Sequence, residues 1–244
     1  MPPERNGDRC DVRWLPTTTS SMDVAAKLAG EGARHGVVVV ADEQTAGRGR
    51  RGTTWQSPPG AGLYLSFIAR HAGSALSLIT LAAGVAVRDG VAAATGLSAD
   101  VKWPNDLMVG PRKLAGILAE GLAIGTPAQA VIIGVGINVQ PAAHPPEVSA
   151  RATSIEGELG RAIDRAQLLS CVLASLWDRL ALLEHAPGDI LQAWRAASPN
   201  ANGTRVEWDG RHGITAGIDD SGALLVRTAD RIERIIAGEL RWML

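Results

Sequence analysis

Cysteine is nearly missing from this sequence. Two occur among 244 residues, Cys10 and Cys171, far apart in the chain and in no zinc or redox spacing. That excludes a disulfide framework and a thiol-based metal site, and it points to a reducing compartment in which neither thiol needs a role. None of the five histidines (His35, His71, His144, His185, His212) stands four residues from another, which removes the usual paired-histidine metal site. An excess of charge of either sign is missing too. The 24 basic and 25 acidic residues leave a net charge of −1, which excludes a globally basic nucleic-acid binder but not a local basic patch. No run approaches the roughly 18 uninterrupted apolar residues of a membrane span. Met1–Trp14 is polar, without the apolar stretch of a secretory leader. A soluble, cytoplasmic protein is expected. Tyrosine and phenylalanine occur once each against seven tryptophans, most of them expected in the core. Hydrophobic residues at 46% suffice for that core, and the length fits one large domain or two unequal ones.

The pattern along the chain predicts alternating strands and helices. Residues 1–14 read as a flexible tail. Ser20-Ser21 then precede a helix that runs to Gly36, and Val37–Val40 is a β-branched strand. Leu63–Ile68 is a strand and Ser74–Thr95 a buried helix. Asp100–Trp103 is a short strand cut by Pro104. Asp106–Val109 and Leu114–Glu120 form a hairpin across Gly110–Lys113. Val131–Ile137 is a central strand. Asp164–His185 is an amphipathic helix with Asp164 and Gln167 as its capping pair, and Asp189–Ala197 is a shorter one. Ser198–Gly203 reads as a linker. The turn signals at Asp209-Gly210 and Asp219–Gly222 then suggest a small β-barrel. The division expected is a tail over 1–14, a main domain over 15–198 and a small domain over 199–244.

Gly47-Arg48-Gly49-Arg50-Arg51-Gly52 matches the G-x-G-x-x-G dinucleotide pattern, and a strand precedes it. The tandem prolines Pro58-Pro59 forbid the helix that pattern requires. No acidic residue stands about 20 positions on, so the Rossmann reading fails. What remains is three arginines among glycines that admit a close ligand. The loop is either a solvated basic turn or a lid that orders over an anion.

Lys102-Trp103-Pro104-Asn105-Asp106 joins a cation, an aromatic, a kink, an amide and a carboxylate. Asp106 could hold Mg²⁺ or orient a lysine, and the segment reads equally as a strand ending in an Asn-Asp turn. Lys113 is a second cation of interest or a solvated hairpin charge. Gly116 admits a ligand near the sheet or marks a bulge. Asn138 ends the strand that holds Gly134-Val135-Gly136-Ile137.

Five pieces stand in one order: Gln44–Gly52, Trp55–Pro58, Lys102–Asp106, Arg112–Leu118 and Gly134–Asn138. Together they resemble the biotin protein ligase family, and Gly217–Leu224 more loosely resembles that family's small SH3-like domain. The resemblance implies an α+β fold: a mixed sheet with packed helices, like the catalytic domain of class II aminoacyl-tRNA synthetases, plus an SH3-like barrel. It implies a reaction in which biotin and MgATP give biotinyl-5′-AMP and pyrophosphate. A lysine of a biotin carboxyl carrier domain, from an acetyl-CoA, other acyl-CoA or pyruvate carboxylase, then takes the biotin and releases AMP.

By resemblance Lys113, Arg48, Arg50 and Asp106 are catalytic. Ser20, Ser21, Met22, Gln44, Gly47, Gly49, Trp55 and Gly116 join Arg48, Arg50 and Lys113 around biotin. Arg50, Arg51, Trp55, Lys102, Asn105, Asp106 and Asn138 face ATP, with Asp106 the candidate for Mg²⁺. The sequence departs from the family's Ser-Thr-Asn segment, with Ser21 for Thr and Met22 for Asn. Some members carry an N-terminal DNA-binding domain. Only some 19 residues precede Ser20, so a ligase without DNA binding is expected, as a monomer or weak homodimer. The rivals are a lipoate or octanoate ligase of related fold and a non-catalytic biotin- or nucleotide-binding regulator.

Overall fold

The structure is a computed structural model that describes residues 11–70, 73–141, 148, 150–238 and 240–243. Cys10, His71 and His144, named above, lie outside the described residues, as does most of the expected tail.

Seven strands form the main sheet: β1 (Val12–Thr18), β2 (Val38–Gln44), β3 (Gly62–Ala69), β4 (Asp100–Lys102), β5 (Asp106–Val109), β6 (Arg112–Leu122) and β7 (Ala130–Asn138). Their order is β1-β2-β3-β7-β6-β5-β4, with β1 parallel to β2 and the other neighbours antiparallel. Five shorter strands, β8 (Asn202–Trp208), β9 (Arg211–Ile218), β10 (Leu224–Arg227), β11 (Ile232–Ile235) and β12 (Arg241–Trp242), form a second sheet in the order β11-β10-β9-β8-β12.

The helices are α1 (Ser21–Gly30), α2 (Ile79–Thr95), α3 (Ile155–Leu159), α4 (Arg165–His185) and α5 (Pro187–Ala197). Period-2 alternation sorts the main sheet into two faces. Val38, Val40, Leu65, Phe67, Ile117, Ile133, Val135 and Ile137 face α2, α4 and α5 in one large core. Val39, Ile68 and Ile132 face the opposite way and meet α1 through Met22, Ala25 and Ala29. Helix α1 covers only part of that second face, and the site occupies the rest.

Three expectations need correction. Val12–Trp14 are not tail but the start of edge strand β1. Pro16 and the mixed pattern of Val12–Thr18 hid it, because an edge strand is half exposed and tolerates proline. Helix α1 stops at Gly30, six residues before Gly36. Gly32 N and the Arg70 guanidinium both donate to Ala29 O and close the helix there. Ser74–Thr95 is a 3-10 turn over Gly73–Leu78 followed by α2. Asp164 does cap α4, accepting from Ala166 N and Gln167 N. Trp103, Trp194 and Trp208 are buried, whereas Trp14 is exposed.

Among the described residues two segments, Leu76–Thr95 and Arg165–His185, are long and apolar enough to cross a membrane. Here they pack on each other and on the sheet. Their contact depends on Gly90, where an added Cβ would lie 2.6 Å from Val172 Cα and 2.8 Å from Val172 N. Backbone cannot give way as a flexible side chain can. Gly90→Val is therefore expected to cost about 1–3 kcal/mol by overpacking. That corresponds to a melting temperature lower by roughly 2–12 °C, read by thermal unfolding. An unchanged midpoint would show that the helices separate freely.

Candidate active site

The uncovered face of the sheet is paved with glycine. Gly116 on β6 pairs with Gly136 on β7, and Gly134 pairs with Leu118 beside them. An added Cβ at Gly136 would lie 2.4 Å from Trp55 Nε1, and one at Gly134 would lie 2.6 Å from Met22 Sδ. The indole and the thioether thus rest directly on sheet backbone. Above this floor is a cavity of about 490 Å³. It collects Ser20, Ser21, Met22, Gln44, Arg48, Gly49, Arg50, Arg51, Trp55, Lys102, Asn105, Asp106, Lys113, Gly116 and Asn138, every predicted site residue but one. Gly47 lies instead in an adjoining cavity on the other side of the loop.

At one end the N-terminus of α1 enters the cavity. Gln44 Oε1 accepts from Ser21 N at 2.9 Å and from Ser21 Oγ at 3.0 Å, and Gln44 Nε2 donates to Ser57 Oγ at 2.9 Å. The Ser21 hydroxyl also meets Ser66 Oγ at 2.8 Å. Gln44 and Ser21 therefore bind each other first. Ser20 Oγ is buried with no hydrogen-bond partner among the described residues, and so is Trp55 Nε1. A buried polar atom left so is costly, which marks both as places for a ligand's polar atoms.

The glycine–arginine loop folds as a hairpin rather than an open coil. Gln44 bridges Ser57 and Arg48 bridges Thr54, while Trp55 N donates to Gly47 O and Gly49 N to Thr53 O. Two of its arginines are engaged. Arg48 donates to Glu120 Oε1 at 3.1 Å, with its Nη2 2.9 Å from Glu120 Oε2 and 3.1 Å from Asp23 Oδ1 on α1. Arg50 reaches Asn105 Oδ1 and Gly238 O, each at 3.4 Å, and so ties the loop to the end of the second sheet. Arg51 stands at the tip with φ +54°.

Opposite the loop, Lys113 Nζ lies 2.6 Å from Asp106 Oδ1 and 5.3 Å from the centre of the Trp55 ring. Asp106 and Gly116 are cross-strand partners, so the β5–β6 pairing sets this geometry. The hairpin turn is shorter than expected, because Val109 already pairs with Arg112. Asn105 donates to Ile117 O at 2.7 Å and Asn138 to Thr153 O at 3.0 Å. Both amides hold neighbouring segments in place. Lys102 Nζ sits 5.8 Å from the Trp242 ring. Trp103 turns away from the cavity and donates to Gly222 O, which anchors the second sheet.

Asp106 stands within ion-pair distance of the lysine, the geometry that the second of its two roles asks for. Among the described residues no three His, Cys, Asp or Glu side chains gather as a metal site, and the one candidate ligand is already paired. Four contributors were not among the predicted site residues. Gly134 was visible beside Gly136, but the approach of Met22 was not. Arg151 and Ala152 line the cavity because their segment pairs with Lys113, with Lys113 N donating to Arg151 O at 2.7 Å. Gly238 lies between β11 and β12 of the second sheet.

Residues 14–138 match the biotin/lipoate A/B protein ligase family, and residues 212–240 match the biotin protein ligase C terminal domain. The chain belongs to this family. It is 37% identical to a biotin–[acetyl-CoA-carboxylase] ligase of Paracoccus denitrificans, over 87% of this chain and 92% of that one. A bifunctional ligase/repressor of Bacillus subtilis is 36% identical over 91% of this chain and 71% of its own length. The biotin protein ligase of Aquifex aeolicus, solved in complex with biotin and ATP, superposes with a TM-score of 0.82 at 28% identity, covering 95% of this chain and 98% of that one. The family match spans every strand of the main sheet, and the C-terminal match falls within the second sheet.

The loop's position rests on the Arg48 ion pairs. Replacing Asp23 and Glu120 together by Asn and Gln removes about 0.2–1 kcal/mol of partly exposed pairing. Opening then becomes roughly 1.4-fold to fivefold more frequent. Limited trypsin digestion is expected to cut at Arg48, Arg50 or Arg51 faster by that factor. Equal rates would mean that the hairpin bonds alone hold the loop.

Proposed function

We propose that this chain is an ATP-dependent biotin protein ligase. It activates biotin to biotinyl-5′-AMP with release of pyrophosphate, then passes biotin to a lysine of a carrier domain. One observation carries the reading: a single cavity sets Lys113, Arg48 and Arg50 around a glycine floor, next to a buried serine at a helix N-terminus. The relatives named above agree with it, one as a biotin–[acetyl-CoA-carboxylase] ligase and one as an enzyme solved with biotin and ATP.

The chemistry asks for these side chains. A carboxylate must approach an α-phosphate, and the two anions repel. Lys113, aligned by Asp106, neutralises both and favours the crowded phosphorus of the transition state. Arg48 and Arg50 close the loop over the mixed anhydride and keep water from it. Ser20 and the first turn of α1 receive the ureido ring, with Met22 as an apolar neighbour. Trp55 walls the cavity between biotin and nucleotide. Arg51, Lys102, Asn105 and Asn138 border the nucleotide side, and magnesium arrives with ATP as part of the substrate. The acceptor is the carrier domain of acetyl-CoA carboxylase, with that of pyruvate carboxylase a second acceptor of the same kind. In this reading the enzyme works in the cytoplasm as a monomer or weak homodimer, without DNA.

Pyrophosphate release with biotin and MgATP, with and without a carrier domain, tests the proposal. A burst without carrier and turnover with it are expected. Release with lipoate alone would favour the lipoate ligase, and binding without release the regulator. Lys113→Ala should slow adenylation by roughly 10²–10³-fold, in the range for removing one preorganised donor. Near-normal release would refute its role. Arg50→Gly should let adenylate escape and label bystander lysines, seen by mass; labelling confined to the carrier would defeat the lid argument.

A further inference from the structure

We propose that Arg70, remote from the cavity, is a positioning residue that fixes helix α1 and through it the biotin end of the site. The inference rests on the ligase reading. Helix α1 is short, and its apolar contact is modest. Met22, Ala25 and Ala29 are buried, with Val24, Ala26 and Leu28 partly buried beside them. Ties at its two ends add to that contact and fix its position. At the N-terminus Gln44 accepts from Ser21. At the C-terminus one guanidinium does the work.

Arg70 follows β3 directly. Its Nη2 donates to Ala29 O at 2.6 Å and its Nε to Ala33 O at 2.7 Å. Its Nη1 donates to Ala128 O at 3.0 Å and Gln129 O at 3.3 Å. Among the described residues no carboxylate pairs with it. Its charge is met by carbonyls, one of them in the last turn of α1, where the helix dipole is negative. Ala128 and Gln129 belong to the turn joining β6 to β7, the strands that carry Gly116, Gly134 and Gly136. One side chain thus sets the helix that brings Ser20, Ser21 and Met22 against the hairpin that supplies the floor. The same helix carries Asp23, a partner of Arg48. A lysine keeps the charge but lacks the planar fork, so it cannot span both segments.

The test compares Arg70→Met and Arg70→Lys with the unaltered chain. Pyrophosphate release gives the KM for biotin, the KM for ATP and kcat. Amide hydrogen exchange without ligand gives the opening of Ser21–Val24. Arg70→Met is expected to raise the KM for biotin roughly tenfold, the order of loss that a displaced binding group produces. The KM for ATP and kcat should stay within about twofold. Exchange at Ser21–Val24 should speed up although Arg70 touches only the far end of the helix. Arg70→Lys should fall between the two, and it carries the test if the Met variant does not fold. A lower melting temperature with an unchanged KM for biotin, or equal rises in both KM values, would overturn the proposal. So would faster exchange confined to residues 29–33. If the unaltered chain releases no pyrophosphate with biotin, the ligase reading fails, and the exchange at Ser21–Val24 still decides for or against Arg70.

Discussion

The site depends on the absence of side chains from one patch of sheet. Gly116, Gly134 and Gly136 leave bare backbone where β6 and β7 pair, and Trp55 and Met22 lie within van der Waals reach of it. Any Cβ at Gly136 would push the indole outward, and the loop that carries Trp55 would follow. The hairpin bonds from Gln44 to Ser57 and from Gly47 to Trp55 make that loop one body with its tryptophan. The floor thus fixes the roof, and the cavity between them takes its depth from three hydrogens.

The electrostatics follow a similar economy. Four cations around the cavity already have partners: Lys113 has Asp106, Arg48 has Glu120 and Asp23, Arg50 has Asn105 and Gly238, and Lys102 has the face of Trp242. A cluster of like charges would otherwise repel itself and loosen the loop. With partners in place, the loop is ordered by the same arginines that an anion would recruit. On the ligase reading, the substrate exchanges one acceptor for another rather than ordering a free side chain, which lowers the entropy cost of binding.

Much of this was legible in the sequence. The β-branched run at Val37–Val40 and the apolar run at Val131–Ile137 became central strands, and Asp164 capped its helix, because in each case local preference and burial agree. The motif residues converge on one cavity because they sit at strand ends and turns along one face. What stayed hidden was set by contacts distant in sequence. Edge strand β1 looked like tail because only one neighbour, β2, defines it. The early stop of α1 comes from a guanidinium 41 residues beyond the carbonyl it caps. Arg151 enters the site through a backbone pairing with Lys113 that no local pattern announces. Asp106 carries two readings in sequence, and its 2.6 Å approach to Lys113 is visible only in the fold.

The second sheet is tied to the site at several points. Trp103 donates to Gly222 O, Arg195 to Ile218 O and Arg50 to Gly238 O, while Trp242 receives Lys102. The turn that presents Gly222 is held together by Asp219, which accepts from Ser221 N, Ser221 Oγ and Ala223 N. Burial would raise the Asp219 carboxyl, but bonds from Arg234, Ser221 and Ala223 outweigh it and hold the pKa at about 2. A carboxylate with a depressed pKa stabilises the fold above its ordinary range and loses that contribution only as pH falls toward about 2. The turn is therefore fully formed near neutrality, and Trp103 has a fixed acceptor. Trp103 adjoins Pro104, Asn105 and Asp106, so the direction of the carboxylate that aligns Lys113 is set partly from the second sheet. The second sheet thus holds both the glycine–arginine loop, at Arg50, and the Trp103 end of the segment that carries Asp106.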